Sequence, residues 1–317
     1  MMETFYVLQE NCRIHREGEH LKLTQSGKML STIPIVGLKT LVIFDSINLT
    51  VPAMDLLLYN GIDIIYQSKW GKVKGRVMSA KSGGAVVRLA QYATFTNTDR
   101  RLELAKAIVA GKINNQMTVV RKYQYNNTLH KYDDHISTLN RFLERLDNAV
   151  NIEEAIGVEG ISARYYWDTF RHSLKNPVFT RREYRPSPDY VNALLNLGYA
   201  FLSNEITTCL IAKHFDTEIG FLHSIHYGRN SLALDIMEEF RAPFIDVWIR
   251  AMLNKNQLKD EHFHVANEDW RLTDEGFRKF CGLYHERVPF WRNKFSEQAG
   301  KLKASLMEGK SYEPYCE

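Results

Sequence analysis

A chain of 317 residues with 44% hydrophobic and 25% charged residues is long enough for two domains and has the balance of an ordinary globular protein. It holds no apolar run long enough to span a bilayer, and its start, Met-Met-Glu-Thr-Phe-Tyr, lacks the basic and apolar regions of a signal peptide, so the cytoplasm is the expected location and no membrane the expected partner. Cys12, Cys209, Cys281 and Cys316 are scattered with no CxxC, which argues for reduced thiols and against a structural zinc. The net charge of +4 supports nucleic-acid binding only weakly.

Up to about residue 80 the pattern is short strands with turn punctuation. "TFYVLQE" (4–10), "CRIHREGEHLKLT" (12–24, a hairpin around Glu17-Gly18-Glu19), "TLVIFD" (40–45), "IDIIYQS" (62–68) and "KVKGRVMS" (72–79) read as strands. "PAMDLLLYNG" (52–61), with Pro at its start and Gly61 at its end, reads as a helix. Residues 1–90 carry eleven Lys or Arg against seven Asp or Glu. Lys72, Lys74 and Arg76 alternate with apolar or small residues, so a strand puts all three on one face, either a solvated face or a phosphate-facing stripe.

The Ser and Gly residues of "SAKSGG" (79–84) mark a break, and the boundaries fall at 1–80 for a β-rich domain, 81–90 for a linker and 91–317 for an all-α domain: an α+β chain with its strands first. "DRRLELAKAIVAGKI" (99–113) and "DDHISTLNRFLERLDNA" (133–149) have helical apolar spacing. The segment 185–215 reads as a central buried helix with Ser187 as its N-cap. "RHSLKNPVFTRREYR" (171–185), which includes Arg181 and Arg182, is basic and reads as a DNA-facing loop or a solvated linker. The C-terminal "GKSYEPYCE" has the look of a frayed tail.

Two segments carry candidate chemistry. In "EEAIGVEGISARYYWDTF" (153–170) the expected stripe is Ile156, Ala163, Tyr166 and Phe170, and Glu159 falls on it. A carboxylate there needs an ion-pair partner or a bound cation. Gly157 and Gly160, unfavourable in a helix, suggest close approach of a backbone or ligand. In "GFLHSIHYGRNSLALDIMEEFR" (220–241), His223 sits at a loop junction and Asp235 and Glu238 lie three apart on one helix face. Two carboxylates and an imidazole suit Mn²⁺ or Mg²⁺, although a solvated first helical turn also accounts for the acids. His226 and Glu239 read as bystanders. Arg229 and Arg241 bracket the acids as ion-pair partners or phosphate clamps.

Four stretches, "RLAQY" (88–92), "GVEGISARYYW" (157–167), "PSPDYVNALLNLGYAFL" (186–202) and the segment 220–246, resemble in order and spacing the CRISPR-associated integrase-endonuclease family of spacer acquisition. The resemblance implies a metal triad of Glu159, His223 and Glu238, with Asp235 as a nearby second acid that could hold the ion in its place. It further implies Mg²⁺ or Mn²⁺ as cofactor and cleavage and joining of DNA, in which a 3′-hydroxyl inserts protospacer fragments at the CRISPR repeat. The implied partners are branched and double-stranded DNA, a second copy in a homodimer built through the β-rich domain, and a small ferredoxin-like subunit. Arg88 and Arg164 join the basic residues above as candidate DNA contacts. A stand-alone nuclease on branched DNA and a silent DNA-binding scaffold are the competing readings. Since His223 must be neutral to ligate, activity is expected to fall below about pH 6.5.

Overall fold

The computed structural model describes residues 3–68, 70–81, 83–126, 132–175 and 178–317. It divides into one unit of Met1–Leu89 with Thr207–Asp216, and a second of Ala90–Ile206 with Thr217–Glu317.

Period-two alternation builds the first unit. In β2 (Arg13–Glu17) and β3 (His20–Gln25), Ile14, Leu21 and Leu23 are buried while Arg13, Glu17 and His20 stay exposed. They pair antiparallel around the Gly18-Glu19 turn, where Gly18 takes the left-handed φ of 61°. The flanking strands β4 (Lys28–Ile33) and β6 (Asn48–Leu49) complete a sheet in the order β4-β3-β2-β6. Neither flank was expected: five of six β4 residues are exposed, which erases the alternation, and β6 is two residues long. The second sheet places β1 (Thr4–Tyr6), β5 (Thr40–Phe44) and β7 (Asp63–Gln67) in parallel, with β8 (Val73–Val77) antiparallel on β7. Leu41, Ile43 and Ile64 from this sheet, Ile14 and Leu23 from the other, and Leu56 and Leu57 of α1 (Val51–Tyr59) share one core.

Among the described residues the second unit is helical apart from one hairpin. Helix α2 (Gly84–Thr96), shared between the two units, begins inside the stretch read as a linker. Helix α3 (Thr98–Asn126) runs well past the expected end at 113, because Met117, Val119, Val120 and Tyr123 keep a buried face between polar residues of low helix propensity. After α4 (Asp133–Asp147), α5 (Ile152–Ser173) buries Ala155, Val158, Ser162, Tyr166, Thr169 and Phe170. The stripe is therefore shifted from the expected one: Ile156 is 44% exposed, and Glu159 lies at the margin of the buried face. Among the described residues nothing lies within 4 Å of where a Cβ would stand on Gly157 or Gly160, so none of them makes the expected close approach.

Helix α6 (Tyr190–Ala212) is capped by Asp189, not Ser187: the Asp189 carboxylate accepts from Asn192 N–H at 2.7 Å and Asn192 Nδ2 at 2.8 Å. Ser187 N–H instead donates to Asp269 Oδ1 at 2.8 Å. Asp189→Ala is expected to cost about 1–2 kcal/mol, read as a lower urea midpoint at unchanged m. Asp269 belongs to the hairpin, β9 (Phe263–Ala266) and β10 (Asp269–Leu272), closed by Asn267 and Glu268, both at positive φ as a two-residue hairpin turn requires. Between α7 (Ser231–Phe240) and α8 (Val247–Asn254) the chain widens into a π-helical stretch, Arg241–Asp246. Pro243 lies within it and supplies no N–H to an α-helical ladder. Helices α9 (Asp274–Arg287) and α10 (Pro289–Glu308) follow, and Arg292 of α10 forks onto Glu205 of α6 at 2.7 and 3.0 Å. No helix among the described residues is long and apolar enough to cross a membrane.

The C-terminal segment is not frayed. Tyr312 OH and Tyr315 N–H both donate to the Glu239 carboxylate, each at 2.7 Å, and Tyr315 stacks on Phe240 with ring centroids 4.8 Å apart. Asn115 of α3 donates to the carbonyls of Glu239 and Tyr315 and accepts from Glu317 N–H. Gly111 makes room: a Cβ there would stand 2.5 Å from Pro314 Cβ. The polar composition that suggested fraying conceals three aromatic or proline anchors.

Candidate active site

The loop before α7 is organised by one side chain. Asp235 is fully buried, and its Oδ2 accepts from Phe221 N–H at 2.5 Å and Leu222 N–H at 3.0 Å. Its Oδ1 accepts from His223 N–H at 2.9 Å and from His223 Nδ1 at 2.7 Å. Gly220 is required for this approach, since a Cβ there would lie 2.8 Å from Asp235 Oδ2. A carboxylate can only accept, so Nδ1 carries a proton, and in the neutral tautomer this leaves the lone pair on Nε2. Asp235 thus spends its oxygens on the loop and aims the imidazole.

One turn on, Glu238 is 3% exposed, with Oε1 paired to Arg241 Nη2 at 2.9 Å and Oε2 2.6 Å from Lys112 Nζ. Burial alone pushes the Glu238 carboxyl up; Arg241, Lys112 and His223 outweigh it and hold it down at about 2. Lys112, on α3, also pairs with Glu159 of α5. Burial works against its charge, but Glu238 and then Glu159 raise its pKa, so it stays an ammonium. Behind Arg241 the network continues inward: its guanidinium lies 4.6 Å from the Tyr199 ring centre, and Tyr199 and Tyr166 donate to Asp246 at 2.6 and 2.9 Å.

The structure therefore brings Glu159 and Glu238 onto one cation, and His223 onto Asp235. Among the described residues no three His, Cys, Asp or Glu side chains form a ready ligand cluster. The Lys112 ammonium bridges the two acids, and Asp235 is committed to the loop. Glu239, read as a bystander, is the buried anchor of the C-terminal segment, and burial raises its carboxyl to about 8. His226 is exposed, with Nε2 3.0 Å from Ser224 Oγ.

The basic candidates separate by exposure. Lys72, Lys74, Arg76 and Arg164 are exposed, Lys74 pairing with Asp45 at 2.7 Å. Arg181 is exposed and paired to Glu183 at 2.6 Å, while Arg229 is half-buried. Arg88 is half-buried with Nη1 lacking a hydrogen bond. Arg182 and Arg241 are not surface clamps. Arg182 is held by Asn192 and Asn196 over the rings of Trp167 and Tyr199, and burial lowers its pKa; Arg241 is committed to Glu238 and Tyr199. Within the basic stretch 171–185, Asn176 and Pro177 lie outside the described residues.

Lys112 escaped the sequence reading although its signal was present. It falls on the buried face of α3 with Ile108, Val109 and Ile113, the cationic mirror of Glu159.

The family model described as CRISPR associated protein Cas1 matches residues 5–286. A CRISPR-associated endonuclease Cas1 of Moorella thermoacetica is 30% identical over 271 residues, 83% of this chain and 79% of the relative. Another, of Thermus thermophilus, is 29% identical over 89% of this chain and 84% of its own. Among solved structures, a Cas1 protein from Thermotoga maritima superposes with a TM-score of 0.71 at 23% identity, and a casposase bound to its integration product with 0.78 at 22%; both comparisons cover 100% of each chain. These likenesses share the fold of strands followed by helices, and with a family match that spans the sheets, α5 and α7, the chain belongs to the CRISPR-associated Cas1 family.

Proposed function

We propose that this chain is a metal-dependent DNA endonuclease and strand transferase that inserts short foreign fragments into a CRISPR array by 3′-hydroxyl attack on repeat phosphodiesters. The observation that carries the reading is the convergence of Glu159 and Glu238 on one buried cation beside an imidazole aimed by Asp235. The donors fit Mg²⁺ or Mn²⁺: two carboxylates already drawn onto one cation, and an imidazole that, when neutral, keeps a lone pair on Nε2. Glu159, His223 and Glu238 would hold the ion, and Asp235 would position His223. When bound, such an ion supplies Lewis acidity toward a phosphoryl oxygen and a template for in-line displacement.

The residues do the rest. Asp235 fixes the ring tautomer, and Arg241 holds Glu238 ionised and in place. Exchange of one phosphodiester for another is near thermoneutral, so positioning carries most of the rate. Partners follow by analogy with structural neighbours: one is a Cas1–DNA complex and another a partial Cas6-RT-Cas1–Cas2 complex. DNA, a second copy of the chain and a small ferredoxin-like subunit are the proposed assembly. Lys72, Lys74, Arg76, Arg88, Arg164, Arg181 and Arg229 are the proposed DNA contacts.

A strand-transfer assay tests the reading. In Mn²⁺, a labelled fragment with free 3′ ends is expected to become covalently joined to a plasmid carrying a CRISPR repeat. Nicking without joining would point to a stand-alone nuclease, and binding without either to a silent scaffold.

A further inference from the structure

We infer that Lys112 is a tethered counter-cation that a divalent ion must displace, so that this one side chain sets how tightly the two acids take metal. The inference rests on the metal reading above. The Lys112 side chain is only 7% exposed, and its Nζ pairs with Glu159 from α5 and stands 2.6 Å from Glu238 Oε2 of α7. It therefore neutralises the carboxylates that a divalent ion would need, and it spans the two elements that carry them. An ammonium and a divalent ion bonded to the same oxygens repel strongly at protein dielectric, so one must leave. The lysine is fixed to its helix and cannot diffuse away, so it competes at a constant, high effective concentration. It also has a benefit without metal: two acids, one buried and one half-buried, stay paired, whereas unpaired buried charge is strongly destabilising.

The test compares Lys112→Met and Lys112→Gln, which remove the charge, with Lys112→Arg, which keeps it. Mn²⁺ affinity is measured by calorimetry, and melting temperature in EDTA and in excess Mn²⁺. Both neutral variants are expected to bind Mn²⁺ at least about tenfold more tightly than wild type, as loss of a nearby like charge predicts. They should melt several degrees lower in EDTA and regain most of that loss in Mn²⁺. Lys112→Arg should stay near wild type in affinity. Unchanged or weaker Mn²⁺ binding by both neutral variants overturns the inference. So does a fall in melting temperature of equal size with and without Mn²⁺, which marks mere packing of α3. Failure of the neutral variants to fold even in excess Mn²⁺ overturns it too, since the ion should replace the missing charge. A wild-type protein that binds no Mn²⁺ is a different result, because it removes the metal reading itself.

Discussion

Glu238→Gln is expected to abolish the Mn²⁺-induced rise in melting temperature and to reduce strand transfer to the level of a metal-free control, whereas Asp235→Asn should damage both only in part. The two acids sit one helical turn apart and do different work. Glu238 Oε2 lies 2.6 Å from the Lys112 ammonium, and the carboxyl is held at about 2 against burial by Arg241, Lys112 and His223. For a depressed carboxyl the stabilisation is present above the unfolded value of about 4.3 and is lost only as pH falls through about 2. Glu238 therefore stays ionised throughout the neutral range, and any loss of metal binding between pH 7 and 5 has to arise at another ligand. Stabilisation by an ion grows as RT ln(1 + [L]/Kd), so a variant without the ligand shows no Mn²⁺-dependent shift at all. Asp235→Asn turns one accepting end into a donating amide NH2 that faces either the Phe221 and Leu222 N–H groups or His223. Roughly a 10- to 100-fold loss of metal affinity follows from a misaimed imidazole. A lower melting temperature with or without Mn²⁺ should accompany it. If Asp235→Asn instead eliminates the Mn²⁺ shift and Glu238→Gln preserves it, the assignment of the two acids is reversed.

How far the sequence revealed this arrangement depended on whether a residue's neighbours lie along the chain or across it. Strand β3 and helices such as α4 and α7 follow from local periodicity, β5 from its unbroken apolar run, and the first sheet's hairpin turn from Gly18. The β9–β10 turn also uses two positive-φ residues, but Asn267-Glu268 is a weaker signal than Asn-Gly. Glu159 stands out in the sequence as a carboxylate on an apolar stripe, and His223, Asp235 and Glu238 as an imidazole and two acids gathered in one segment. What one strand of text cannot give is which cation Glu159 meets, because Lys112 comes from a helix 47 residues earlier. The same limit hid the division of labour between Asp235 and Glu238, which is decided by three backbone N–H groups of the 221–223 loop. Gly220 in "GFLH" is intelligible only afterwards, as the absence of a Cβ beside Asp235.

The C-terminal segment leads to the second large effect. Glu239 is fully buried, and burial raises its carboxyl to about 8, outweighing the Tyr315 N–H, the Tyr312 hydroxyl and the charge of Lys301. A carboxyl raised above its unfolded value contributes stability that is fully present below about pH 4.3 and lost as pH rises through about 8. Across pH 5 to 8, this one group should therefore weaken the fold by about 1.4 kcal/mol per pH unit, to a total of several kcal/mol. Glu239→Gln cannot ionise, so its dependence should flatten. At pH 5 it should be no more stable than wild type, because its amide NH2 faces a donor just as the O–H of the protonated acid does. By pH 8 it should be more stable by a few kcal/mol. Urea unfolding of both proteins at several pH values reads this crossing directly, and parallel curves would refute it. Removing residues 310–317 provides the complementary case. It exposes the Glu239 carboxyl and the ring face of Phe240 that Tyr315 covers, so it should cost stability at every pH and erase the slope between pH 5 and 8. A truncated chain that keeps the wild-type slope would mean that α3 and α7, not the tail, keep Glu239 dry.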